Sequence, residues 1–95
     1  MRQIVMDGEG WASADDLYDA FFRSVGAPEW HGRNFNALRD SICAGRINSV
    51  EVPYVITIVN YSRVGLAARG MVDDFIALIK ELHESGCAVD VEVQD

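Results

Sequence analysis

Basic residues are scarce in this sequence: 8 Lys and Arg stand against 15 Asp and Glu, a formal charge of −7 over 95 residues. That balance repels a phosphate backbone, so direct contact with DNA or RNA is not the expected function, and basic partners are favoured instead. Long apolar runs are also missing. The longest, residues 52–59, is interrupted by Pro53 and Thr57 and falls far short of the ~20 residues that cross a bilayer, so no membrane role is expected. No basic segment leads into an apolar one at the start, where Asp7, Glu9 and Asp15 come at once. No secretion signal is read there, and a cytoplasmic protein is expected. Cysteine is limited to Cys43 and Cys87, without a CxxC or zinc-type spacing. The pair therefore reads as two reduced thiols, with no metal site and no cofactor. Repeats and low-complexity segments are absent as well. What remains is ordinary globular composition, 49% hydrophobic and 24% charged, and 95 residues leave room for one domain spanning 1–95.

Ile4, Val5 and Met6 form a short apolar run that Asp7-Gly8-Glu9-Gly10 ends, the pattern of a strand stopped by a turn. Ser13 with Asp16 three residues later resembles a capping box, with Asp in place of the usual Glu. The helix that follows places Leu17, Tyr18, Phe21 and Val25 on one side and stops at Gly26, ahead of Pro28. After a loop, Asn34 is a plausible cap for a second helix over residues 35–43. At 100° per residue Phe35, Leu38 and Ile42 face the core, while Asn36, Arg39, Asp40 and Cys43 look outward. Residues 50–59 are apolar almost throughout and β-branched, which predicts a central strand covered on both faces, with Pro53 near its beginning. Between residues 60 and 70, Ser62 is placed to cap one short turn, with Gly65 and Gly70 breaking it. Residues 71–84 carry Val72, Phe75, Ile76, Ile79 and Leu82 on one helical face and end at Gly86. Residues 88–93 then alternate as a third strand with one exposed face. Strands separated by helices predict an α/β fold, a three-stranded parallel sheet packed with three to four helices.

Catalytic signatures are also wanting: no GxSxG, HExxH, P-loop or dinucleotide fingerprint occurs. His83 reads as a surface residue at a helix end and Cys87 as a buried structural thiol. The segment from Pro28 through Glu29, Trp30, His31, Gly32, Arg33 and Asn34 to Asp40 stands apart. It joins an aromatic pair, a glycine turn, an Asn cap and a helix bearing an outward carboxylate, the kind of surface from which interface hot spots are built. This run resembles the signature of the barstar-like family, a Pro-Glu-aromatic-aromatic-Gly-x-Asn-apolar-Asp-Ala-Leu-x-Asp pattern. The likeness extends over almost the whole chain, through Ile4-Val5, Val50-Glu51-Val52-Pro53 and the final stretch with Glu81 and Gly86-Cys87.

That resemblance implies inhibition of a ribonuclease by a second helix and preceding loop that plug its active site. Position by position, Asp40 matches the aspartate that occupies the enzyme's phosphate site, and Trp30 and His31 match the aromatics that stack on the partner. Gly32 matches the turn, Asn34 the family Asn, and Glu81 a peripheral acidic contact. Asn36, Arg39 and Cys43 share the outward face with Asp40 and are expected to meet the partner too. Two departures stand out: Asn36 replaces a frequent second aspartate, and Arg39 replaces a tryptophan. From residue 28 to 49 the arginines Arg33, Arg39 and Arg46 outnumber Glu29 and Asp40, so the recognition face is not expected to be acidic. The expected function is therefore inhibition of a small basic ribonuclease or ribonuclease-like toxin, by a monomer when free. Other readings stay open: an interaction module with a non-nuclease partner, or a small enzyme using His31 and Asp40. Trp30 half-buried on the first helix, Asn34 as a cap alone and Gly32 as a turn alone are also compatible with the residues.

Overall fold

The apolar run at the start of the chain becomes an edge strand, and the β-branched segment in the middle becomes the strand it pairs with. In a computed structural model, which describes residues 1–95, β1 (Arg2–Asp7), β2 (Tyr54–Val59) and β3 (Val89–Val93) form one sheet in the order β1-β2-β3. Both pairings are parallel, with Arg2 opposite Tyr54 and Tyr54 opposite Val89. The predicted α/β arrangement with a three-stranded parallel sheet is the observed one, and three α-helices pack against it.

Burial alternates along the strands. Ile4, Met6, Tyr54, Ile56, Ile58, Val89 and Val91 are buried, whereas Gln3, Val5 and Glu92 are exposed and Val55, Val59 and Asp90 half-buried. The expectation that β2 is covered on both faces is thus corrected. Two successive right-handed crossovers that step in the same direction across a sheet place their helices on the same face. The exception on the open face is Thr57, shielded by its position in the central strand. It is buried, and its hydroxyl accepts a hydrogen bond from Gln3 Nε2 at 2.9 Å. The strand also starts later than residue 50. Pro53 has no amide to give to a ladder, and the preceding residues fold back on the first helix instead: Ser49 N–H donates to Gly26 O and Val50 N–H to Val25 O.

Helix α1 (Ala14–Val25) begins at Ser13, where the Asp16 carboxylate accepts the N–H groups of Ala12 and Ser13 at 2.7 and 3.2 Å. It buries Leu17, Tyr18, Phe21 and Val25 and ends at Gly26, whose φ of 65° lies in the left-handed region. Helix α2 (Phe35–Arg39) starts at Asn34 and continues through Asp40–Ala44 as a wider π-type turn, so the single α-helix read over 35–43 changes its winding midway. Leu38 and Ile42 are both buried and Phe35 half-buried, as the spacing required. Helix α3 (Leu66–Glu84) starts five residues before the expected position. Gly65 caps it, but Gly70 does not break it: Ala67, Ala68 and Arg69 favour helix, Ala68 is buried, and the Arg69 guanidinium ties the carbonyls of Ser62 and Val64 to the first turns. Ser62 lies inside the short 3-10 turn Tyr61–Arg63 rather than capping it. The inner face of α3 uses Leu78 where Ile76 was expected, and Ile76 is half-buried.

The helices lean on the sheet and on one another. α1 contacts β1, α3 contacts β3, α1 and α3 meet through Phe21 and Phe75 edge to face at 5.6 Å, and α2 sits against α3. Leu38 is the apolar pin of α2. Leu38→Ala removes a fully buried side chain and is expected to lower unfolding stability by about 2.5–4 kcal/mol in a urea titration. A loss below about 1 kcal/mol would show that α2 is not anchored through this residue.

Candidate protein-binding site

The loop from Pro28 to Arg33 is shaped by what its aromatic pair does. His31 N–H donates to Pro28 O at 3.0 Å, and the imidazole packs on α1 with its ring 4.4 Å from that of Phe22. His31 Nδ1 lies 2.8 Å from Gly32 O, which makes Nδ1 the donor and leaves Nε2 buried without a partner. His31 therefore occupies the place on the first helix considered for Trp30, and Trp30 is turned outward, 74% exposed. Gly32 sits where a Cβ would approach Asn34 Nδ2 to 2.9 Å, so a side chain there would press on the amide of the capping residue. Asn34 completes the bend: its Oδ1 accepts the Ala37 N–H at 2.8 Å. Arg33 fastens the loop from outside, bridging Asp15 and Asp19 of α1 while its guanidinium lies over the Tyr18 and Phe22 rings at 5.9 and 5.6 Å.

On α2, the four residues read as one outward face divide into two kinds. Asn36 and Asp40 are exposed, and Asp40 makes neither an ion pair nor a side-chain hydrogen bond within the chain. Arg39 and Cys43 are engaged internally. Arg39 donates to both oxygens of Glu81 on α3, at 3.0 and 3.2 Å. Cys43 is bonded to Cys87, with Cα atoms 5.7 Å apart, and no free cysteine remains. This corrects the reading of two reduced thiols and of Cys87 as a buried one, since Cys87 is half-buried. The two lie 44 residues apart in sequence, and only the return of the chain at Gly86, with φ of 102°, brings Cys87 beside the end of the π-type turn.

Trp30, His31, Gly32 and Asp40 come together around a shallow hollow of about 140 Å³, with Ala37 and Ile47 completing the lining. Ala37 was legible three residues before Asp40 on the same helical face. Ile47 was not, because no periodicity connects the loop after α2 to the loop before it. Glu81 lies beyond Arg39 rather than in the hollow. The electrostatics of the face are also corrected. Arg33 and Arg39 are neutralised by Asp15, Asp19 and Glu81, all from outside the segment, so Arg46 is the one arginine there without an ion pair. The Arg46 amide is held by the Glu51 carboxylate. Hydrogen bonding and charge from Arg39 hold the Glu81 carboxyl below the usual glutamate range. No group of three or more His, Cys, Asp or Glu side chains is placed to hold a metal ion, and no helix is long and apolar enough to cross a membrane.

Two expectations follow. Replacing both cysteines by serine releases a closure spanning 44 residues and should lower stability by about 2–4 kcal/mol, read as a shifted urea midpoint; an unshifted midpoint would show that the link adds nothing to the native state. The lowered Glu81 pKa gives a stabilising contribution that is complete above the ordinary glutamate range and is lost as pH falls through the folded midpoint. In a side-chain carboxyl NMR titration, Arg39→Met should return Glu81 to the ordinary range. A midpoint that does not move would mean that the pair does not form in solution.

Comparison with known proteins bears on what this face is for. The family model described as Barstar (barnase inhibitor) matches residues 1–94. A relative from Bacillus subtilis (strain 168), named "Putative ribonuclease inhibitor YrdF", is 26% identical over 84 residues, covering 88% of each chain. With the sheet, the capped second helix and the match along nearly the whole length all in agreement, the chain belongs to the Barstar (barnase inhibitor) family.

Proposed function

We propose that this protein inhibits a small basic ribonuclease, or a ribonuclease-like toxin, by seating α2 and the loop before it in the enzyme's cleft. Asp40 supplies the anchor. A cleft that binds RNA must be cationic, and a carboxylate held rigidly can accept the charge-assisted hydrogen bonds otherwise given to a phosphate. The observation that carries this reading is the state of Asp40: an exposed carboxylate with no internal partner, on a helix pinned on both sides. Trp30 adds an exposed aromatic surface beside it, and the hollow between them can receive a side chain of the enzyme. Membership of a family of barnase inhibitors, and a relative named as a ribonuclease inhibitor, support the same class of partner.

The partner is thus a protein. The charge of −7 disfavours direct contact with nucleic acid and favours a basic enzyme. The protein acts as a monomer, with the bond between Cys43 and Cys87 formed within one chain. It has no catalytic role of its own: His31 directs Nδ1 to a backbone carbonyl and keeps Nε2 shut away from solvent.

Inhibition of barnase, measured as an inhibition constant, tests this reading. Asp40→Ala should weaken inhibition at least about a hundredfold, the loss of several kcal/mol typical of central charged anchors, a scale that barnase–barstar measurements themselves helped to set. Undiminished inhibition by that variant would remove Asp40 as the anchor. Tight binding without inhibition would favour an interaction module instead.

A further inference from the structure

We propose that Arg39 is a selectivity residue: by holding both oxygens of Glu81 it withdraws a carboxylate from the rim of the binding face, so that a basic partner meets Asp40 alone at this end. This rests on the inhibitor reading above. The geometry is a two-pronged pair, Nη1 to Oε1 at 3.0 Å and Nη2 to Oε2 at 3.2 Å, joining α2 to α3. The two side chains remain 39% and 62% exposed, so the pair lies on the surface that a partner covers and not beneath it. Asp40 is the next residue in the chain, yet it takes no share of this guanidinium.

The consequence is chemical. A carboxylate already matched by a guanidinium offers an incoming Lys or Arg little attraction, and the guanidinium itself repels that cation. Arg39 engages two of its donors with Glu81 and has three left on a partly exposed head. The complementary surface is therefore one that carries acceptor oxygens, backbone carbonyls or carboxylates, opposite Arg39. The preferred target is a ribonuclease with a basic cleft but without a basic rim on the α3 side. The arrangement is held in place: four residues beyond Arg39, Cys43 is bonded to Cys87, three residues past the end of α3, which restrains α2 from moving off and releasing Glu81.

Association with barnase, used as a basic ribonuclease probe, distinguishes selectivity from a purely structural tie. Stopped-flow rates across ionic strength are compared for the unmodified chain, Arg39→Met, Glu81→Gln, the double variant, and Arg23→Met. The last removes an equal charge from the exposed surface of α1, where it forms no ion pair, and controls for overall charge. Arg39→Met should associate roughly three- to tenfold faster at low salt, with a steeper salt dependence, and should exceed Arg23→Met. The excess should vanish when Glu81→Gln is added. A gain no larger than that of Arg23→Met, an excess that survives Glu81→Gln, or slower association of Arg39→Met overturns the proposal. Failure of all the chains to bind does so too, since a released Glu81 would then recruit no basic enzyme. Asp40→Ala keeps the two readings apart: loss of binding there without any Arg39 effect leaves the inhibitor reading standing and removes only this one.

Discussion

A helix of five residues cannot hold its own shape in water, so every property of the candidate face depends on what fastens α2. The fastenings come from different parts of the chain and differ in kind. Leu38 and Ile42 are buried beneath it, Asn34 closes its first turn, and Arg33 ties its leading loop to α1. Arg39 and the bond from Cys43 tie its far side to α3 and to the approach of β3. Together they let Asp40 be held without being touched. Arg33 and Arg39 are drawn off by acids elsewhere, and the carboxylate of Asp40 stays unpaired.

This arrangement reconciles two facts that conflict at the level of composition. The chain carries an excess of acid, yet the candidate segment from residue 28 to 49 counts more arginines than acids. Counting charges along a segment treats neighbours in sequence as neighbours in space. In the folded chain, Arg33 belongs electrostatically to α1 and Arg39 to α3. The acids that neutralise them raise the acidity of the surroundings without being available to a partner. The net charge of −7 favours basic partners for the molecule as a whole, while on α2 and the turn after it Asp40 is the carboxylate left unpaired.

Much of this was legible in the sequence, and the limits have identifiable causes. Ser13 with Asp16, Gly26, Asn34 and Gly86 marked helix ends because capping is a local interaction, and the order of strands and helices followed from periodicity. Gly70 misled because a glycine's weak helix propensity counts for little between a buried Ala68 and a well-packed Val72. The covered second face of β2 was misjudged because an apolar run records burial without saying from which side it comes. The exchange of Trp30 and His31 was hidden because either ring could pack on Phe22. Links such as Arg39 to Glu81, 42 residues apart, and Cys43 to Cys87 leave no local trace, since each depends on where the sheet turns the chain.

The parallel sheet imposes an order in time as well as in space. Arg2 finds its partner only at Tyr54, and Tyr54 finds its second only at Val89, so neither ladder can close locally. Two of the ties on α2, through Glu81 and Cys87, come from residues made 42 and 44 positions after the ones they hold. A nascent polypeptide that already carries Asp40 still lacks the brace that aims it. The face around Asp40 is therefore braced only after α3 and the turn at Gly86 have been made.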